Sequence, residues 1–160
     1  MFQFKSRLSA RRPMQSVAEV RARAGRGLEG DRYYVRSGTF SDQPGAGREI
    51  TLIESEAMEA LKRDYQVELQ AGLTRRNIVT CGGALNHLVN REFKIGAVTL
   101  RGTRLCEPCM HMEKLTRKGV MSGLTHRGGV RADIVIEGVI HVGDIITADS
   151  AVGSSVERSA

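Results

Sequence analysis

The sequence predicts a mainly β protein of the α+β type, a β-barrel or sandwich carrying one clear helix and one or two short ones. Three observations lead there. Glycine is frequent, 18 residues in 160, which favours turns and short elements. Apolar and polar residues alternate in several brief runs bounded by glycine, the pattern of half-buried strands. Only one stretch repeats its apolar residues at helical spacing. A chain of this length hides roughly two-thirds of the surface it exposes when unfolded, so its core needs neither disulfide nor metal.

Taken in order, residues 1–15 read as an irregular, basic lead-in with Lys5, Arg7, Arg11 and Arg12. A single domain is expected over 16–148. Val17 to Arg23 begins a strand. A glycine-rich stretch follows from Gly25 to Gly47, and a loop of that length inside a compact domain is usually functional or mobile. Arg48 to Ile53 is a short strand. Glu54 to Tyr65 places Ala57, Met58, Leu61 and Tyr65 on one helical face, with Glu54 and Glu56 in the first turn and Lys62 and Arg63 in the last, as the helix dipole favours. Asn77–Thr80, Phe93–Ile95 and Val98–Arg101 are further strands. Met110 to Arg117 is a short helix stopping at Gly119. Ala132–Glu137 and Val139–Thr147 are expected to pair as a hairpin across Gly138. Residues 149–160, rich in Ser, Gly and Ala, are expected to be a flexible tail. There is no internal repeat.

The net charge of +6 points to anionic partners. No run approaches the ~20 apolar residues that span a bilayer, and the N-terminus has no room for a signal-peptide apolar region. Three cysteines without an export signal read as thiols in a reducing cytoplasm.

The densest chemistry lies in Cys106-Glu107-Pro108-Cys109-Met110-His111. A Cys-x-x-Cys pair can hold zinc, but structural zinc takes four ligands and the remaining candidates, Cys81, His87, His126 and His141, are scattered. A thioredoxin-like redox pair would need a βαβ context. The third reading is one working thiolate: Cys109 follows Pro108 at the start of the short helix, where main-chain N–H groups favour an anion, and it should alkylate faster than Cys81. Cys81 and Cys106 fit inert packing thiols equally well. In His126-Arg127-Gly128-Gly129-Val130-Arg131, two arginines around paired glycines form either an anion cradle or a tight turn with solvated charges. Arg75-Arg76-Asn77 is either a phosphate clamp or a surface loop. Asp31 and Arg32 either pair locally or face a ligand. No Gly-x-Ser-x-Gly elbow and no P-loop is present.

These clusters occur in a fixed order: Gly27-Leu28-Glu29-Gly30-Asp31-Arg32-Tyr33, Arg75-Arg76-Asn77-Ile78, Phe93-Lys94-Ile95-Gly96, Cys106-Glu107-Pro108-Cys109, Arg127-Gly128-Gly129-Val130-Arg131-Ala132 and Val142-Gly143-Asp144. The ordered set resembles the MOSC domain family, named for the C-terminal domain of molybdenum cofactor sulfurase. The resemblance runs from about Gly25 to Ile146 and implies a closed, mixed β-barrel. It implies that Cys109 is the catalytic residue, either carrying sulfur as a persulfide or ligating the molybdenum of the pterin cofactor. Cys106 would be a resolving thiol. The cofactor-binding residues implied are Asp31, Arg32, Arg76, Asn77, His126, Arg127 and Arg131; a soft thiolate suits molybdenum, and arginines suit the cofactor's phosphate. Some relatives reduce N-hydroxylated compounds. The chain has no room for the pyridoxal-phosphate desulfurase domain of the sulfurases, so sulfur would come from a separate cysteine-desulfurase-type donor. Reduction of a small-molecule substrate would need an electron-donor protein.

The competing class is a basic β-barrel gripping nucleic acid. It rests on charge alone, since the aromatics that would stack on bases are few and scattered. A third reading is an adaptor without chemistry, in which Cys109 would be buried and unreactive.

Overall fold

The computed structural model describes residues 2–5, 14–36 and 45–148. In chain order its elements are β1 (Phe2–Lys5), β2 (Met14–Val17), β3 (Glu19–Arg23), β4 (Gly27–Leu28), β5 (Ile50–Glu54), α1 (Ser55–Tyr65), β6 (Ile78–Thr80), β7 (Glu92–Ile95), β8 (Val98–Leu105), α2 (Met110–Leu115), α3 (Val120–Leu124), β9 (Val130–Ile136), β10 (Gly138–His141) and β11 (Ile146–Ala148). Short 3-10 helices at Ala71–Thr74 and Leu85–Leu88 flank β6.

An eight-stranded sheet in the order β11-β7-β8-β9-β5-β6-β1-β2 curls into a half-barrel, and a separate three-stranded sheet, β10-β3-β4, packs against it. The main core is built from both sheets: Val20 and Ala22 of β3, Leu28 of β4, Ile50 and Leu52 of β5, Phe93 of β7, Leu100 of β8, Val130 and Ala132 of β9 and Ile140 of β10. Each large aliphatic side chain buried there contributes about 1.5–3 kcal/mol. A second core forms against the helices, where Ile53 of β5 meets Ala57 and Leu61 of α1, Met112 of α2 and Val120 and Leu124 of α3. β5 is therefore covered on both faces, which explains its nearly continuous apolar run.

The mainly β class with a few helices is as expected, but the closed barrel is not. Among the described residues the large sheet ends in β11 on one side and β2 on the other. After β2 the chain crosses at Ala18 into the second sheet, where the Ala18 carbonyl accepts the Val142 N–H at 2.9 Å. The expected hairpin across Gly138 is also corrected. β8 pairs with β9 as far as Ile136, β5 pairs with it over Val130–Ala132 and the Glu49 carboxylate takes the Ile134 N–H at 2.9 Å, while β10 turns away and pairs with β3. Glu137 fixes that departure, its carboxylate accepting from the Ala24 N–H and from Arg23, each at 3.0 Å.

The basic lead-in, expected to be irregular, contributes β1 and β2. Its Phe2-Gln3-Phe4-Lys5 alternation has the two-residue period of a strand, and β1 pairs with both β2 and β6. The expected tail at 149–160 lies outside the described residues. The long helix appears one residue later than expected. Glu54 is its N-cap, with its carboxylate accepting the Leu85 N–H at 2.5 Å, and Tyr65, expected on the apolar face, is exposed. The region from Met110 to Gly119 holds α2, and Gly119 caps a further helix, α3, that the sequence reading did not anticipate. No helix among the described residues is long and apolar enough to cross a membrane.

Candidate functional site

Three loops are gathered at one point of the large sheet. Leu52 of β5 is registered with both Ile78, where β6 starts, and Val130, where β9 starts; Leu105, where β8 ends, is registered with Val130. The segments just before β6, just after β8 and just before β9 therefore converge, and these are the sequence's arginine pair, its Cys-x-x-Cys and its Gly-Gly motif. The glycine-rich loop after β4 joins them through Asp31. One Asp31 carboxylate oxygen accepts the Tyr33 N–H at 2.7 Å, and the other accepts from the Asn77 amide at 2.7 Å. Asn77 in turn accepts from the Thr51 N–H at 3.0 Å and hydroxyl at 2.8 Å. Asp31 and Asn77, both buried, thus lock the loop onto β5 and β6.

The result is a small cleft of about 120 Å³. Among the described residues five arginines line it, Arg32, Arg48, Arg75, Arg76 and Arg131, against a single carboxylate, Glu107. That imbalance makes it strongly electropositive. Burial, reinforced by the neighbouring charge of Arg32, pushes the Arg75 guanidinium below its ordinary value. The Nε of Arg131 is buried and has no hydrogen-bond partner among the described residues, an arrangement that normally costs free energy unless an acceptor arrives.

Cys109 and Cys106 both line this cleft, but differently. Cys109 is exposed and occupies the N-cap position of α2, its carbonyl accepting the Glu113 N–H at 3.1 Å. Cys106 is buried, its N–H donating to the Gly129 carbonyl at 2.7 Å. Both are free thiols. The Gly-Gly pair is required here: Gly129 has φ +94°, and a Cβ on it would overlap the Leu52 carbonyl, while a Cβ on Gly128 would overlap the Cys106 carbonyl.

Of the residues singled out from sequence, Arg32, Arg76, Asn77, Cys106, Cys109 and Arg131 come together in the cleft, with Asp31 bracing it. His126 and Arg127 do not line it. His126 is exposed at the rim, where its N–H and Nδ1 meet the Glu107 carboxylate at 2.8 and 3.0 Å. Arg127 points toward Asp64, 3.6 Å away. The sequence reading passed over Arg48 and Thr51. Arg48 stands in no motif, and its position immediately before β5 acquires meaning only when β5 meets β9. Arg75 was visible as half of an arginine pair.

A metal held by protein ligands alone is not what this donor set suits, because among the described residues no three of His, Cys, Asp and Glu gather as a metal site. A metal arriving in its own anionic organic chelate fits better: the cleft offers one exposed thiol, an excess of guanidinium groups and the unpartnered Arg131 Nε.

Solved structures with the same architecture include the YuaD protein from Bacillus subtilis, at TM-score 0.74 and 13% identity over 92% of each chain. YiiM from Escherichia coli aligns at TM-score 0.65 and 13% identity, over 96% of this chain and 70% of that one. YiiM from Geobacillus stearothermophilus aligns at TM-score 0.57 and 18% identity, over 66% of this chain and 56% of that one. No curated protein matches in sequence. The model of the MOSC domain matches residues 42–147. That span is more than half of the chain and takes in the arginine pair, the Cys-x-x-Cys and the Gly-Gly loop, so the chain belongs to the MOSC domain family.

Proposed function

We propose that the cleft binds the pterin-based molybdenum cofactor, with Cys109 as the protein's thiol toward the metal and Arg75 and Arg131 toward the cofactor's phosphate. The observation that carries this reading is the coincidence, in one small cleft, of five arginines facing one carboxylate and a single exposed thiol. When bound, the cofactor supplies a molybdenum centre able to exchange electrons and oxygen atoms with a substrate.

The chain's own residues do the rest. Arg131, with its buried Nε, and Arg75, half-buried beside Arg32, are placed to take a phosphate by charge-assisted hydrogen bonds. The Thr51 hydroxyl lines the same cleft, but its proton goes to Asn77, so it braces the wall rather than serving as a donor to the ligand. Glu107 meets the His126 ring at the rim, 3.0 Å from Nδ1. Cys109, exposed at the mouth, leaves a small N-hydroxylated substrate room to approach, and a separate protein would deliver electrons. Because the arginines line a concave cleft rather than a broad face, they suit a small anion better than a nucleic-acid backbone.

The test is molybdenum content by elemental mass spectrometry, on protein purified gently from a host that makes the cofactor, with Cys109→Ala alongside. Near-stoichiometric metal in the parent and its loss in the variant are expected. No metal in either overturns cofactor binding; an extra sulfur atom on Cys109 would then identify a persulfide carrier fed by a cysteine-desulfurase-type donor.

A further inference from the structure

We propose that Arg76 is a positioning residue for Cys109 rather than a ligand contact, an inference that rests on reading Cys109 as the working thiol. Arg76 is buried, and its donors go to main-chain carbonyls of three separate loops. Nε donates to Gly128 at 2.8 Å, Nη1 to Thr74 at 3.1 Å and Nη2 to Cys106 at 2.6 Å. The guanidinium thus ties the loop that carries Cys109 to the Gly-Gly loop and to the segment before β6. The Cys106 N–H closes the same knot on the Gly129 carbonyl at 2.7 Å.

From Cys106 the chain reaches Cys109 through Pro108, whose ring fixes one backbone angle. Beyond Cys109, Met112 anchors α2 in the second core. With both flanks held, the place of the Cys109 thiol follows from where Arg76 holds Cys106. Only a planar fork serves acceptors in several directions from one buried point, so a lysine ammonium does not replace it. Among the described residues the hydrogen-bond partners of the guanidinium are these three carbonyls, and burying a cation without a carboxylate partner is costly.

The experiment compares carboxymethylation by iodoacetate with alkylation by neutral iodoacetamide on the full chain, following Cys109 and Cys81 separately by peptide mass spectrometry. In the parent, the iodoacetate-to-iodoacetamide rate ratio is higher at Cys109, which faces the arginines, than at exposed Cys81. Arg76→Lys keeps the charge and loses the fork. Its ratio at Cys109 is expected to fall to that of Cys81, with the circular dichroism spectrum unchanged. Arg76→Ala is expected to regain the parental ratio in millimolar guanidinium, and not in equimolar sodium chloride or urea.

A parental ratio in Arg76→Lys would show that charge alone matters and overturn the proposal, as would absence of guanidinium rescue. Should Arg76→Ala not fold, the lysine variant decides. If neither folds, Arg76 serves the fold and not the site, and the proposal fails. Molybdenum content plays no part in this readout, so failure here and failure of the cofactor reading are separable.

Discussion

Arg131→Ala is the perturbation that asks most directly whether the cleft holds a phosphate. Arg131 lines the cleft with its Nε buried and without a hydrogen-bond partner, so an incoming anion satisfies that donor. A hydrogen bond to a charged group contributes about 1.5–3 kcal/mol, equivalent to roughly a 10- to 100-fold change in Kd. With inorganic pyrophosphate as the probe, at about 100 times its Kd, the parent gains about 2.7 kcal/mol. A domain of this size shifts its Tm by about 2–4 °C per kcal/mol, so the expected rise is about 5–10 °C. At the same pyrophosphate concentration the variant is left at about one to ten times its own Kd, and gains about 0.4–1.4 kcal/mol. Its Tm should then rise by only about 1–5 °C.

The assay is differential scanning calorimetry against sodium chloride at matched ionic strength, which removes general salt effects. Arg127→Ala is the control. Arg127 faces Asp64 outside the cleft, and its removal should leave the pyrophosphate shift at the parental value. Equal shifts in parent and Arg131→Ala, or none beyond the chloride control, would refute the assignment of the arginine cleft as an anion site.

Two further outcomes concern the fold that carries the site. Glu49 accepts the Ile134 N–H at 2.9 Å, and burial pushes its carboxyl above the ordinary range, with backbone hydrogen bonds opposing and the charge of Asp133 adding. A folded-state value above the unfolded one means that Glu49 favours the fold most at acidic pH, and that this contribution is lost as pH rises through the folded value. Glu49→Gln keeps an oxygen for Ile134. It should therefore be more stable than the parent near pH 8 and indistinguishable below about pH 4; a Tm gap that does not change with pH would count against this account. Gly129→Ala combines a backbone at φ +94° with overlap on the Leu52 carbonyl, and should cost about 2–6 kcal/mol in urea unfolding. Gly82→Ala, at φ +79° in open space, should cost only the strain part, and equal costs for the two would be inconsistent with the packing described.

The sequence by itself determined the ingredients. Alternation and glycine spacing placed the strands from Arg48 to Glu137 to within a few residues, because a two-residue period survives wherever one face is buried; the expected strand Val139–Thr147 is instead two, β10 and β11, in different sheets. The helical spacing around Ala57 and Leu61 located α1. The order of the arginine pair, the Cys-x-x-Cys and the Gly-Gly motif led to the family. Tertiary structure decided which of these residues meet. Nothing local in Gly138-Val139-Ile140 says that the distant Glu49 takes the Ile134 N–H of the neighbouring strand, and the expected hairpin became a crossover to β3. Nor does spacing tell an arginine that keeps a buried donor open from one whose Nε and both Nη atoms are held by carbonyls. Arg76 and Arg131 look alike in sequence, yet one serves three main-chain carbonyls and the other keeps a buried Nε without a partner. His126 and Arg127 sit two and one residues before the Gly-Gly turn, but from the left-handed backbone of His126, φ 61°, their side chains engage Glu107 at the rim and Asp64 outside the cleft. Arg48, silent in sequence, enters the cleft at the start of β5. Which residues share a site is set by strand register and by the hydrogen bonds between loops, and both are long-range properties that local patterning does not encode.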